Sequence, residues 1–152
     1  MDDRAVVGRQ LGRTPRAYLR VAVRCPYGNP AVTEQAAFDE QGDPFPTTFW
    51  LTCPSLVAAV SRLEAVGGVE RWTKAAREDP ALAESLARAT REQRELRPEL
   101  DVGIGGSSRA GSLKCLHAHV AFALARPGYE LGERILAELP RLWPDDGCCT
   151  PR

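Results

Sequence analysis

No apolar run in this chain of 152 residues approaches the roughly 20 residues that a helix needs to cross a bilayer, and the opening Met1-Asp2-Asp3-Arg4 leads into no stretch of signal-peptide character. No helical membrane span is expected, and a cytoplasmic location is. Excess charge is missing too: 20 Lys plus Arg against 20 Asp plus Glu leave a formal net charge of zero. The broad electrostatic footprint of a nucleic-acid or anionic-membrane binder is therefore absent, and nucleic acid is not the expected partner. There is no CxxC knuckle, no Walker-type phosphate loop and no GxGxxG fingerprint after a clear strand. Aromatic residues are few. Trp50, Trp72 and Trp143 each lie among inward apolar neighbours and are read as core rather than as a base-stacking platform.

What is present suits one folded domain. Hydrophobic residues make up 43% of the chain, enough for a core without disulfide or metal staples. We expect a single globular α+β domain over residues 1–144 and a disordered tail over 145–152, where Cys148 and Cys149 are incidental. The chain has five cysteines, an odd number that rules out a complete disulfide framework. In a reducing compartment their purpose is packing, metal binding or thiol chemistry.

Periodicity and turn residues divide the chain. Residues 4–11 read as a short helix ended by Gly12. From Tyr18 to Cys25 the residues alternate, with Leu19, Val21, Val23 and Cys25 on one face and Arg20 and Arg24 on the other. After a turn at Pro26 to Pro30, residues 31–35 and 47–52 supply two further strands. Pro54 suits the first turn of a helix, so Cys53 falls at its N-cap, and Gly67-Gly68 stops that helix. A helix over 69–78 follows, and Asp79-Pro80 restarts another in which Leu82, Leu86, Ala89, Gln93, Leu96 and Leu100 form one stripe. Residues 103–111 form a glycine-rich loop, Ser112 opens a helix to about Ala125, and a last helix covers 130–142. The expected fold is a helix-rich α+β unit, with a small antiparallel sheet of about three strands packed by about five helices.

The residues able to carry chemistry are few. On a helix starting at Ser112, Cys115 and His119 are four apart and share a face, whereas His117 points nearly opposite; spacing favours His119 and keeps His117 in reserve. Cys25 and Cys53 end the first and third strands and can meet Cys115 if those strands are neighbours. That gives a Cys₃His site suited to zinc, or less readily to an iron–sulfur cluster. Two other readings stand beside it. Buried cysteines act as small apolar residues, and a cysteine at a helix N-terminus, Cys53 or Cys115, has raised thiolate character and with a His base makes a nucleophile. The glycine-rich loop, with Arg109 and Lys114, either cradles an anion on its N–H groups or is an ordinary connection. Arg9, Arg13, Arg16, Arg20 and Arg24 are read as a solvated basic edge.

The stretches Gln10-Leu11-Gly12-Arg13, Arg24-Cys25-Pro26, Asp43-Pro44-Phe45-Pro46-Thr47, Leu51-Thr52-Cys53-Pro54, Ser61-Arg62-Leu63-Glu64 and Lys114-Cys115-Leu116-His117 together resemble the bacterial family known as domain of unknown function 501. The resemblance runs from about Val7 to Leu142. It implies a cytoplasmic bacterial protein of actinobacterial type and no established activity. The family position matching Cys53 holds Cys or His, an exchange a metal ligand tolerates, and the Lys114–His117 motif pulls the ligand choice towards His117. Thr90 and Gln93 stand where the family has a His and a Tyr, and Arg126-Pro127-Gly128 replaces its Asn-Pro motif, while Arg97 fits.

The leading expectation is a small zinc-type metal protein using Cys25, Cys53, Cys115 and one of His117 and His119. A second is an interaction module of bacterial division or envelope machinery that docks through the charged helix 81–100. A third is a thiol enzyme acting through Cys115 or Cys53.

Overall fold

Turn and cap chemistry set most element boundaries in the computed structural model, which describes residues 2–109, 111–140 and 142–143. The expectations for 145–152, including Cys148 and Cys149, lie outside those residues. Asp2 accepts the Arg4 N–H at the start of α1 (Asp3–Leu11), and Gly12, with φ of 71°, ends it. Gln10 ties that helix to the sheet by donating to the Pro30 carbonyl at 2.8 Å.

The sheet has the order β1-β2-β3, with β1 (Tyr18–Arg24), β2 (Pro30–Gln35) and β3 (Phe49–Leu51) antiparallel to their neighbours. β2 lies in the middle, so Ala31, Val32 and Thr33 are buried on both sides. The strict alternation expected along β1 does not hold. Its register shifts between Tyr18 and Arg20, between Val21 and Val23, and between Val23 and Arg24. Each irregularity twists the strand, and Leu19 is left 53% exposed although it shares parity with Val21. The arginines of this region are engaged: Arg16 pairs with Asp39, Arg20 with Glu34 and Arg24 with Asp3.

Pro54 opens α2 (Pro54–Ala65) behind Cys53, as the first-turn preference of proline predicts. Leu56, Ala59, Val60 and Leu63 line its buried side. Gly67, with φ of 86°, turns the chain into α3 (Gly68–Glu78). Asp79 accepts the Ala81 N–H at 2.9 Å and Pro80 starts α4 (Pro80–Leu96). The α4 stripe of Leu82, Leu86 and Ala89 is buried in the core of the fold, and Gln93 donates to Thr48 Oγ1 at 2.6 Å. α4 stops at Leu96, because the residue before Pro98 is pushed out of the helical region.

α5 (Leu116–Ala125) runs through the middle of the molecule. Residues 118–123 are all buried, and a helix apolar on every side is buried for that reason. Phe49 of β3 meets Phe122 edge-on with centroids 5.6 Å apart, and Phe122 meets Tyr129 the same way at 5.7 Å. α6 (Glu130–Glu138) lies so close to α5 that a Cβ at Gly132 would sit 2.7 Å from the His119 carbonyl. Among the described residues, six α-helices and a three-stranded antiparallel sheet give the helix-rich α+β class expected. No helix among the described residues is long and apolar enough to cross a membrane.

Glu34 joins sheet and helix. Its Oε2 lies 3.0 Å from Arg97 Nη2 at the end of α4, in a pair with side chains only 12% and 15% exposed, and its Oε1 lies 2.7 Å from Arg20. Burial opposes the charge on Glu34, but the hydrogen bonds from Arg97 and Arg20 outweigh it and hold the carboxyl below the usual glutamate range. A depressed carboxyl stabilises the fold fully above the ordinary glutamate value and loses that contribution as pH falls through its folded value. Urea unfolding between about pH 7 and about pH 3 is expected to show this acid loss in the wild type. Glu34→Gln should be less stable by about 2–3 kcal/mol near neutrality and show a shallower acid slope. An unchanged slope would refute the clamp.

Candidate functional site

The approach to α5 decides which groups meet. Ser112 does not open the helix as expected. Leu113 is fully buried, and its carbonyl takes the Cys115 N–H at 2.7 Å and the His119 Nε2–H at 2.8 Å. Lys114 sits in the left-handed region with φ of 66°, a conformation that costs a residue with a side chain about 1–2 kcal/mol and cannot continue a helix. Cys115 is then extended, with φ of −150°, and the helix begins at Leu116. The i,i+4 argument linking Cys115 to His119 fails because Cys115 precedes the helix.

Cys115 stands at the N-cap of α5 but its side chain accepts no capping N–H; Glu64 takes that role from α2, accepting the Leu116 N–H on Oε2 at 2.7 Å. A carboxylate is favoured there by the partial positive charge of the helix start. His117, the second residue of the helix, faces the same stretch of α2. Its Nδ1 lies 3.3 Å from Glu64 Oε2 and its Nε2 lies 3.2 Å from Ser61 Oγ. Val57, Ser61 and Glu64, spaced at i, i+4 and i+7, form the α2 stripe that receives the ring. Donor atoms of Glu64, Cys115 and His117 all lie within 4.8 Å of one another, and all three residues are partly buried. A tetrahedral ion with bonds of about 2.0–2.3 Å sets its donors about 3.3–3.8 Å apart, a little inside the separation these three atoms allow.

The remaining expected ligands lie elsewhere. His119 is 1% exposed, two positions and thus about 200° around the helix from His117. The Leu113 carbonyl can only accept, so Nε2 carries the ring proton and Nδ1 accepts from the Tyr129 hydroxyl at 2.7 Å. Both nitrogens are occupied within the core. Cys53 is buried at the N-terminus of α2, whereas Glu64 lies eleven residues on, about 16 Å away along the axis. Cys25 is buried just beyond β1, its N–H bonded to the Asn29 carbonyl. Neither cysteine joins the Glu64, Cys115 and His117 group. Glu64 was missed as a donor, and its visible signal was the Ser61–Glu64 spacing inside a motif already singled out.

Electrostatics separate the two histidines. His117 is raised above the ordinary imidazole value, first by its hydrogen bond with Cys115 and then by the Glu64 carboxylate, against partial burial. His119 is lowered to about 4 because burial penalises its charged form. Burial likewise pushes the Tyr129 phenol up.

A profile of the family described as protein of unknown function (DUF501) matches residues 21–101, from β1 to just beyond α4. That span includes Glu64 and ends before Cys115 and His117. No curated protein and no solved structure matches the chain.

Histidine ring resonances followed across a pH titration provide the check. His119 is expected to stay neutral down to about pH 4, while His117 titrates above the usual imidazole value. The signs differ: the stabilisation from neutral His119 is complete above the unfolded value and fades as pH falls towards the folded one, whereas that from charged His117 is present at low pH and fades as pH rises through its raised value. Ordinary titration of His119 would contradict this geometry.

Proposed function

We propose that this chain, which belongs to the DUF501 family of proteins of unknown function, is a cytoplasmic one-domain protein that binds a zinc-class divalent metal through Glu64, Cys115 and His117. The observation that carries the reading is the convergence of a carboxylate, a thiol and an imidazole at the start of α5, all within 4.8 Å of one another. Magnesium and calcium take oxygen-rich sets, so one sulfur and one nitrogen among three donors favour a borderline-soft ion. Three protein ligands leave a fourth position for water or a substrate group, the arrangement of catalytic rather than structural zinc. Ser61 beside Nε2 of His117 supplies the outer partner that fixes a coordinating ring through its other nitrogen. Docking through helix 81–100 gains no support from its apolar stripe, which the core already covers.

A nucleophilic reading of the same residues is favoured by one observation: Cys115 hydrogen-bonds His117, whose Nδ1 faces Glu64. A thiol beside an imidazole base is the pairing that a Cys–His enzyme uses.

One set of samples separates the two. Chelator-stripped protein titrated with Co²⁺ should develop a thiolate-to-cobalt charge-transfer band at one equivalent, and Zn²⁺ should displace it. Cys115→Ser and His117→Ala should weaken binding by more than about 100-fold, while Cys25→Ser and Cys53→Ser leave it unchanged. Tight binding that survives Cys115→Ser sinks the metal reading. Protein that takes up no metal, yet is alkylated rapidly and stoichiometrically at Cys115, is the nucleophile instead.

A further inference from the structure

Between α3, α4 and residues 103–109, 111 and 112 lies a cavity of about 450 Å³, within the usual range for small-molecule pockets and apart from the Glu64, Cys115 and His117 group. Buried Leu86, Ile104 and His119 line its interior. Exposed arginines from three segments line it as well: Arg77 of α3, Arg91 and Arg94 of α4, and Arg109 of the loop. Among the described residues no Asp or Glu lines it, although the chain as a whole is neutral.

These cations are weakly compensated. Arg91 lies 3.8 Å from Glu84 with both side chains 60% exposed, and Arg94 lies 3.2 Å from an Asp101 side chain that is 94% exposed. Such pairs are worth little in water and yield readily to a better anion. Among the described residues neither Arg77 nor Arg109 is in an ion pair, in contrast to the paired arginines along the sheet.

We infer that this pocket binds an organic phosphate, with a compact apolar body beside Leu86 and Ile104 and the phosphate held by Arg77 and Arg109, with Arg91 and Arg94 adding to the field. A carboxylate is matched by one guanidinium fork, whereas four guanidinium groups suit the higher charge and the three acceptor oxygens of a phosphate. Apolar walls concentrate that field inside the cleft. Thr90 also lines the cavity and supplies a neutral donor. A polymer strand is disfavoured, because no Phe, Tyr or Trp among the described residues lines the cavity to form a platform on which successive bases stack.

The probes are AMP, ADP and phenyl phosphate, with adenosine, benzoate, inorganic phosphate and a single-stranded oligonucleotide as comparisons. Titration calorimetry gives affinity, and the His119 ring resonances report entry into the cavity. At least one organic phosphate should bind about tenfold or more tighter than adenosine, benzoate or inorganic phosphate and shift His119, and Arg77→Gln combined with Arg109→Gln should weaken it by about tenfold or more. Both arginines are exposed, and circular dichroism checks that the double variant is folded. Cys115→Ser should leave this binding unchanged, so failure here and failure of the metal reading are distinguishable. Affinity for none of the three phosphates beyond that of the comparisons, affinity unchanged in the folded double variant, or binding of the oligonucleotide alone would overturn the proposal.

Discussion

The burial of α5 is the constraint on which the rest of the molecule depends. Residues 118–123 are all enclosed, so apolar neighbours must surround the helix. β3, α2 and α6 provide them, and Gly132 shows how closely: one methyl group there would strike the α5 backbone. A polar residue on such a helix has two fates. His119 lies inside, where burial keeps it neutral and where Leu113 and Tyr129 satisfy both ring nitrogens. His117, about 200° away at the end of the helix, reaches the seam with α2, where water and charge are accessible.

Burying the start of such a helix also leaves N–H groups that need acceptors. Lys114 is held in the left-handed region and Cys115 offers no capping oxygen, so the acceptor comes from another element. Glu64 answers that need, and its carboxylate comes to rest against the imidazole of His117 and within reach of the Cys115 sulfur. The convergence of three donor types is therefore a by-product of capping geometry as much as a site in its own right. That dual role explains why a group able to hold a metal forms at the start of a buried helix.

Local signals carried most of the architecture. The cap-then-proline pairs at Cys53-Pro54 and Asp79-Pro80 and the left-handed Gly12 and Gly67 each act over a few residues, and each element they bound appears where expected. What escaped depends on distance. Glu64 and Leu116 are 52 positions apart and no period links them. The late start of α5 follows from tertiary demands on Leu113 rather than from the propensities of residues 112–115. Irregular pairing in β1 exposes Leu19 in spite of an unbroken alternating pattern. For the thiols, the expectation placed Cys25 and Cys53 at the ends of neighbouring strands with the Cys115 helix packed across them, but β2 lies between β1 and β3, and the length of α2 separates Cys53 from the Glu64 end where Cys115 lies.

Net charge conceals a sorting of the arginines by role. Arg16, Arg20, Arg24 and Arg97 lock against carboxylates on other segments, and Arg97 with Glu34 does so almost out of water, where removing one partner would strand the other. Around the cavity the same residue type is held by exposed carboxylates or by none among the described residues. A chain that needed these cations only for solubility would place acidic side chains among them to lower their mutual repulsion. Keeping like charges together around a cavity with an apolar interior raises the free energy of the unliganded protein, and an anion that enters relieves it. The sum of zero therefore says nothing against a cationic site; it records that opposite charges are matched closely elsewhere in the fold and only weakly here.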